Sequence, residues 1–148
     1  PEYVNAFFNR GLSKIMMNDF NSAINDFMIT LKLEPNHVEA WSNMGIAWSR
    51  LDKINKAMEC YAEAIKLKPT YFEAWLNRGI DKYYMGDFTG AITDLEQAIQ
   101  LNPSLGPAYY FRALVQLKTG GRLACEDLKK AIELGFNEAA KTFNSNCH

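Results

Sequence analysis

The chain has 148 residues, of which 48% are apolar and 13% aromatic, so it is long enough to form a folded core and too apolar to be disordered. Its formal net charge is −1 with both signs interleaved, which argues against nucleic acid as the main partner because binding to phosphates needs clustered Lys and Arg. No apolar run approaches the roughly 20 residues of a membrane-spanning helix, so no membrane partner is predicted.

A period of 34 residues runs through the whole chain. The residues that recur on this step are prolines at Pro1, Pro35, Pro69 and Pro103, glycines at Gly11, Gly45 and Gly79, and large aromatics at Phe7, Trp41, Trp75 and Tyr109. A fixed period between 20 and 50 residues is typical of stacked structural repeats. The sequence therefore predicts a repeat protein.

Each repeat reads as two helices. In the second repeat, apolar residues at spacings of three and four predict helices over 38–51 and 54–67. Gly45 and Ala57 lie equally far from Leu51, on either side of the turn. Small residues at equal distances from a turn favour an antiparallel hairpin, because they allow two helices to approach closely. The predicted unit is a helix-turn-helix.

The second repeat resembles the tetratricopeptide repeat (TPR) pattern. The residues that carry the resemblance are Trp41, Met44, Gly45, Trp48, Ala57, Tyr61, Ala64 and Pro69. The third repeat matches equally well, the first is close, and the fourth has a turn one residue shorter. The resemblance implies an all-α, right-handed α-solenoid of four units, at about 4–37, 38–71, 72–105 and 106–135. A capping helix is expected at about 137–146.

We expect residues 1–148 to form a single TPR domain that belongs to a longer protein. The predicted first helix presents Val4, Phe7 and Phe8 with no segment before it. Exposed apolar patches tend to find partners. A preceding repeat or a second copy of the chain is therefore expected to cover this edge, and weak homo-oligomers are one predicted outcome.

The sequence carries no catalytic, cofactor or metal-binding pattern. The two histidines are His37, in a turn between repeats, and His148, which follows Cys147 without any zinc-site spacing. The glycine-bearing segment 86–90 lacks the Lys-Ser/Thr of a phosphate loop and is interpreted as a hairpin turn. We therefore predict no catalytic residues, no cofactor and no metal, and a chain that is not an enzyme.

Three asparagines also follow the 34-residue step, namely Asn9, Asn43 and Asn77. In TPR arrays the first helices line a concave groove, and the resemblance places these residues there. Side-chain amides can both donate to and accept from a peptide backbone, as in the asparagine ladder of TPR proteins such as O-linked N-acetylglucosamine transferase. The candidate peptide-binding residues beside them are Asn5, Glu39, Arg50, Glu73, Tyr83, Tyr84, Tyr110 and Phe111. The alternative is that the three amides bond only to neighbouring helices or water.

A second peptide-binding mode of the family is the carboxylate clamp, which uses two lysines and an arginine to grip the C-terminus of a chaperone. The matching positions here hold Phe8, Leu12, Asn43, Glu73 and Asn77. Of these, Asn43 alone fits the clamp, and Glu73 would repel a carboxylate. Binding of chaperone tails is therefore disfavoured.

The predicted function is a scaffold that binds a protein or peptide segment in the concave groove. Two alternatives stay open: the substrate-recruiting or regulatory arm of a larger enzyme, and a self-assembly module that uses the first helix. The state of Cys125 and Cys147 is also open. They lie equally far in sequence from Phe136, at the last turn, so they can either form a disulfide or remain two free thiols.

Overall fold

The computed structural model describes residues 2–147, and over this range the chain folds into nine α-helices and no strands. The helices are α1 (Glu2–Met16), α2 (Phe20–Leu33), α3 (Val38–Arg50), α4 (Ile54–Leu67), α5 (Phe72–Met85), α6 (Phe88–Leu101), α7 (Gly106–Thr119), α8 (Ala124–Glu133) and α9 (Glu138–Asn146). The first eight form four helix-turn-helix hairpins in chain order. The helices predicted over 38–51 and 54–67 are thus found as α3 and α4. Pro1 and His148, which the sequence analysis considered, lie outside the described residues.

The chain divides into two compact units after Ala74. The first unit contains α1 to α4 and the first turn of α5, and its core gathers apolar residues from α2, α3 and α4 around Phe27. The second unit contains the rest of α5 and the helices up to α9. Its two core clusters lie around Leu95 on α6 and around Leu128 on α8.

A glycine allows the two helices of a hairpin to pack closely. A Cβ at Gly45 would lie 2.6 Å from the ring of Tyr61, which is too short for any real contact. The sequence predicted a close approach of the helices at Gly45 and Ala57, and the structure shows that the atoms nearest to Gly45 are those of the Tyr61 ring. The corresponding pairs are Gly11 with Phe27 at 2.7 Å and Gly79 with Leu95 at 3.0 Å. In the fourth hairpin Ala113 replaces the glycine, and it shares a core cluster with Leu128.

Buried aspartates link the two helices of the first, third and fourth hairpins. In the third hairpin Asp94 accepts two hydrogen bonds from Arg78, both at 2.8 Å, and lies 2.9 Å from the Lys82 ammonium. The other sets are Arg10 and Lys14 with Asp26, and Arg112 and Gln116 with Asp127. Bidentate pairs of this kind fix the geometry of the partners because both carboxylate oxygens are engaged. Hydrogen bonds from Arg10 lower the pKa of Asp26.

The second hairpin has apolar residues at the same three positions. On the 34-residue step, Met44 stands where the other hairpins have arginine, and Trp48 stands where they have Lys or Gln. Cys60 stands where they have aspartate, which in the fourth hairpin comes one residue earlier because its turn is shorter. Cys60 is a buried free thiol, and burial raises its pKa to about 12. The thiol is therefore neutral at physiological pH, and this hairpin is held by packing rather than by charge.

The turns use side-chain caps. Gly86 has a φ of +81°, which favours glycine, and the Asp87 carboxylate accepts the Gly90 N–H at 3.0 Å at the start of α6. The segment 86–90 is thus the hairpin turn that the sequence predicted. His37 caps α3, because its Nδ1 accepts the Ala40 N–H at 3.3 Å. This histidine has a structural role in the turn.

The predicted capping helix is present as α9. Ala139 is fully buried and Phe143 partly buried against the core cluster around Leu128. Of the two open readings of the last cysteines, the structure has the disulfide: Cys125 and Cys147 are bonded, with their Cα atoms 5.7 Å apart. The bond joins the end of α9 to the first turn of α8.

The predicted apolar edge on α1 is partly covered within the first unit. The ring of Phe8 lies 4.6 Å from that of His37 and 5.9 Å from that of Phe27, measured between centroids. The Arg10 guanidinium lies 5.1 Å from the centre of the Phe7 ring. Tyr3 is the aromatic residue of α1 that is most open to solvent, at 77%. Self-association through this edge stays a prediction.

We call Arg78, Lys82 and Asp94 the ion set of the third hairpin, and its contribution to stability can be tested by substitution. Asp94→Ala should lower the free energy of unfolding by about 3 kcal/mol, because it leaves two partly buried cations without their buried partner. The matched control is Arg78→Met with Lys82→Trp and Asp94→Cys, which copies the apolar set of the second hairpin. Replacing a buried ion pair by apolar residues is often neutral, so this variant should unfold in urea close to the parent. An unchanged urea midpoint for Asp94→Ala would show that the ion set does not stabilise the hairpin.

Reduction of the disulfide should destabilise the end of the chain. The bond closes a loop of 23 residues, and the loss of loop-closure entropy in the unfolded state is worth about 3 kcal/mol. We expect dithiothreitol to lower the thermal midpoint of the second unit, while a Cys125→Ser, Cys147→Ser variant should not respond to it. Thiol titration of the unfolded, non-reduced protein should count one thiol, that of Cys60. A count of three would contradict the bond.

Candidate functional site

The asparagines of the first unit lie on α1 and α3. Asn5 and Asn9 are exposed, and Asn43 is half-buried. The Asn43 side chain donates from Nδ2 to the Glu39 carbonyl oxygen at 2.8 Å, one turn earlier in its own helix. Because the amide group is planar, this bond fixes its orientation and leaves Oδ1 on the side away from that carbonyl. The amide is held in place with its acceptor oxygen still available.

Two carboxylates and a phenol lie near one another in the first unit, and we call Glu39, Tyr71 and Glu73 the acidic cluster. Burial raises the pKa of the Tyr71 phenol, and the neighbouring carboxylates of Glu73 and Glu39 raise it further. Oε2 of Glu73 is buried, and among residues 2–147 no group donates a hydrogen bond to it. A buried carboxylate oxygen without a donor costs free energy. The acidic cluster therefore contains a buried acceptor whose hydrogen-bonding capacity the described residues leave unused.

Four of the predicted aromatic residues lie together in the second unit. Their ring centroids are 5.2 Å apart for Tyr83 and Tyr84, 5.8 Å for Tyr83 and Phe111, and 5.4 Å for Tyr110 and Phe111. Tyr84 is 72% exposed, and burial raises the pKa of Tyr83. We call these four residues the aromatic cluster. Edge-to-face rings of this kind form a firm apolar surface with polar hydroxyl groups.

The two remaining candidates are Asn77 and Arg50, which belong to neither cluster. Asn77 is half-buried on α5 in the second unit, and no described residue forms a hydrogen bond with its amide. Arg50 is exposed at the C-terminal end of α3 in the first unit. Its charge is favourable there, because a cation complements the partial negative charge at a helix C-terminus.

The structure shows one apolar site that sequence reasoning missed. A groove of about 800 Å³ in the first unit is lined by residues of α2, α3 and α4, among them Trp41 and Trp48. Both tryptophans belong to the repeat pattern that predicted the fold, and both are only half-buried. The signal that was available is the apolar set at Met44, Trp48 and Cys60, which departs from the charged pattern of the other repeats.

Residues 2–147 contain neither a cluster of metal ligands nor a helix suited to a membrane. Between residues 2 and 147, no group of three or more His, Cys, Asp or Glu side chains is arranged to hold a metal ion. Over the same residues, no helix has both the length and the apolar character that crossing a membrane requires.

The class of protein follows from the hairpins and from comparison with known families. The tetratricopeptide repeat model matches residues 38–71 and 72–105, the second and third hairpins. A crystal structure of MamA is similar to this chain, with 30% sequence identity and a TM-score of 0.78. The match covers 90% of this chain and 80% of the MamA chain. The chain belongs to the tetratricopeptide repeat family, and TPR proteins are protein-interaction scaffolds.

Other solved structures share the fold. Another crystal structure of MamA protein is 29% identical, with a TM-score of 0.80 over 96% of this chain and 79% of that one. The first TPR of Spaghetti (RPAP3), bound to the HSP90 peptide SRMEEVD, has a TM-score of 0.77 at 18% identity, over 80% of this chain and 94% of that one. No curated protein matches the chain. The similarities confirm the predicted all-α TPR fold class.

The buried, unpaired oxygen of Glu73 is expected to lower the stability of the folded chain. Glu73→Leu should leave the free energy of unfolding unchanged or raise it by about 1 kcal/mol, because it removes a buried acceptor that has no donor. The control is Glu96→Leu on α6, where the carboxylate is exposed and no such gain is expected. Thermal or urea unfolding measures both. A clear loss of stability for Glu73→Leu would mean that this carboxylate has a structural role.

Proposed function

We propose that the chain is a protein-interaction module whose first helices hold an extended peptide segment by its backbone. The observation that carries the proposal is the buried Oε2 of Glu73, an acceptor without a donor in a cluster with Glu39 and Tyr71. Backbone N–H groups are the donors that every peptide offers. A bound chain would remove the cost of leaving this oxygen unsatisfied.

The asparagines supply the second element of the proposal. Asn43 is oriented by its bond to Glu39, so its Oδ1 can accept a backbone N–H with little loss of side-chain entropy. Asn9 and Asn77 stand on the same step of the repeat. We propose that the three amides act as a ladder that reads peptide backbone rather than side chains, as the resemblance to other TPR proteins suggested.

The aromatic cluster is proposed to bind apolar side chains of the same class of partner. Tyr84 offers an exposed ring that Tyr83 and Phe111 hold at its edges. Rigid aromatic groups give contact area at a low cost in conformational entropy, which is why they are enriched at interfaces. The cluster thus adds affinity without adding a demand for charge.

The acidic cluster decides which peptides are disfavoured. The HSP90 peptide in the RPAP3 structure ends in acidic residues, and that protein is related to this chain in fold alone. Here the carboxylates of Glu39 and Glu73 would repel an acidic C-terminus and favour N–H groups or a basic side chain. We therefore propose partners other than chaperone tails, and binding rather than catalysis.

The test uses peptides of unrelated sequence. Three twelve-residue peptides, selected from a random display library against the whole chain, are labelled and their affinities measured by fluorescence anisotropy. Asn43→Ala with Asn77→Ala should weaken all three by a similar factor, between about fivefold and a hundredfold, because each lost hydrogen bond is worth about 0.5–1.5 kcal/mol. The effect should change little between low and high salt, unlike that of a charge-based clamp.

The control variant is Asn21→Ala with Asn55→Ala, which changes two exposed asparagines on the second helices. It should leave all three affinities unchanged. If the control weakened binding while the Asn43 and Asn77 variant bound normally, the first helices would not be the site.

A further inference from the structure

The second hairpin has apolar residues in place of the ion set that links the helices of the other hairpins. The groove lies against these apolar residues. Met44, Trp48 and Cys60 all line it, where the third hairpin has Arg78, Lys82 and Asp94. The long charged side chains of the third hairpin meet above its core. In the second hairpin apolar side chains stand at these positions, so the groove is lined by apolar atoms where the third hairpin has charged groups.

Helix α3 forms the floor of the groove, and α2 and α4 form its walls. The floor consists of Met44 and the two indoles of Trp41 and Trp48. Met28 on α2 stands at the rim with 55% of its surface exposed. Apolar side chains of this size are rarely left exposed next to one another without a partner.

The groove is open along its length rather than closed. The residues of α4 that line it extend from Lys56 to Glu63, which is two helical turns or about 10 Å. An open apolar groove of two turns matches the stripe of residues i, i+3 or i+4, and i+7 on an amphipathic helix. A small molecule would be enclosed on fewer sides than binding sites of that class normally provide.

The charges at the rim differ between the two walls. On α4, Lys56 lies over the Trp48 ring at 4.2 Å and Glu63 pairs with Lys66 at 3.2 Å, so both are already engaged. The charges that remain are Lys32 on the α2 wall and Glu59 on the α4 wall. An occupant with an acidic residue on one flank and a basic residue on the other would complement both.

From these observations we propose that the groove between α2 and α4 is a second interaction site, which binds an amphipathic helix of a partner protein. The apolar stripe of the bound helix lies between the indoles and against Met28. The flanks of the bound helix place an acidic side chain over Lys32 and a basic side chain over Glu59. The site is separate from the proposed peptide site. Because successive residues of a helix are 100° apart, Trp41 and Trp48 lie on the opposite face of α3 from Asn43.

The probe is a synthetic 18-residue helical peptide with leucines at i, i+4, i+7 and i+11, glutamates on one flank and lysines on the other. A peptide of the same composition with the leucines dispersed is the control. Binding to the whole chain is followed by anisotropy of a labelled peptide. We expect saturable binding that is at least tenfold weaker for the control peptide. Exchange of the two charged flanks should weaken it several-fold.

Intrinsic fluorescence locates the peptide. The chain has three tryptophans, so with Trp75→Phe only Trp41 and Trp48, both in the groove, emit. Saturation by the peptide should shift their emission to shorter wavelength.

The decisive variant carries Met44→Arg, Trp48→Lys and Cys60→Asp, which copies the ion set of the third hairpin and replaces apolar lining of the groove by charged groups. It should keep the helical signal and lose at least tenfold in affinity for the peptide. Met28→Glu changes an exposed position and cannot disturb the core, so it gives the same test if the triple variant folds poorly. Asn43→Ala is the matched control, since it lies on the other face of α3, and should bind the peptide like the parent.

Four results would overturn the proposal. They are equal binding of the two peptides, undiminished binding by Met28→Glu, loss of binding through Asn43→Ala, and saturable binding of 1-anilinonaphthalene-8-sulfonate without binding of the peptide. The last result would mean that the groove is a site for small molecules.

Discussion

The absence of one side-chain carbon is the constraint on which the first three hairpins depend. A Cβ at Gly45 would collide with the Tyr61 ring, so the glycine allows a large side chain of the second helix to lie directly on the backbone of the first. The same close approach occurs at Gly79, where the facing residue is Leu95. In the fourth hairpin Ala113 takes the place of the glycine and shares a core cluster with Leu128, so this hairpin accommodates one more carbon at that position.

Two chemistries connect helices that this contact has already brought together. Asp94 and its cations hold the third hairpin by charge-assisted hydrogen bonds, which satisfy every buried polar atom they involve and leave a polar edge. Met44 and Cys60 hold the second by packing, and packing leaves apolar surface where the ions would be. The change costs the fold little, because buried ion pairs and well-packed apolar residues stabilise proteins to similar extents. Its main consequence lies at the surface, where it opens a groove.

Helix α3 therefore has two chemically different faces, to which we have assigned different proposed partners. One carries Glu39 and the oriented amide of Asn43, groups that hydrogen-bond to backbone with little regard to sequence. The other carries Trp41 and Trp48, which favour an apolar stripe with defined charges at its edges. A scaffold with both faces can hold a flexible segment and a folded helix at once. Different substitutions would then weaken the two interactions separately. Such a division suits the family, whose members present extended surfaces rather than single pockets.

The sequence alone determined the period, the helix boundaries, the glycines of the hairpins and the absence of a catalytic pattern. All of these features depend on the spacing of residues along the chain, and the same spacing recurs in each repeat. It also named Tyr83, Tyr84 and Phe111 as candidates for binding, but their rings meet only because the packing of two different helices, α5 and α7, brings them together. The tertiary structure alone decided that Trp41 lines a groove, because an indole is covered or open according to the residues opposite it on other helices. It likewise decided between a disulfide and two thiols at the last cysteines, because the distance between α8 and α9 depends on how they pack.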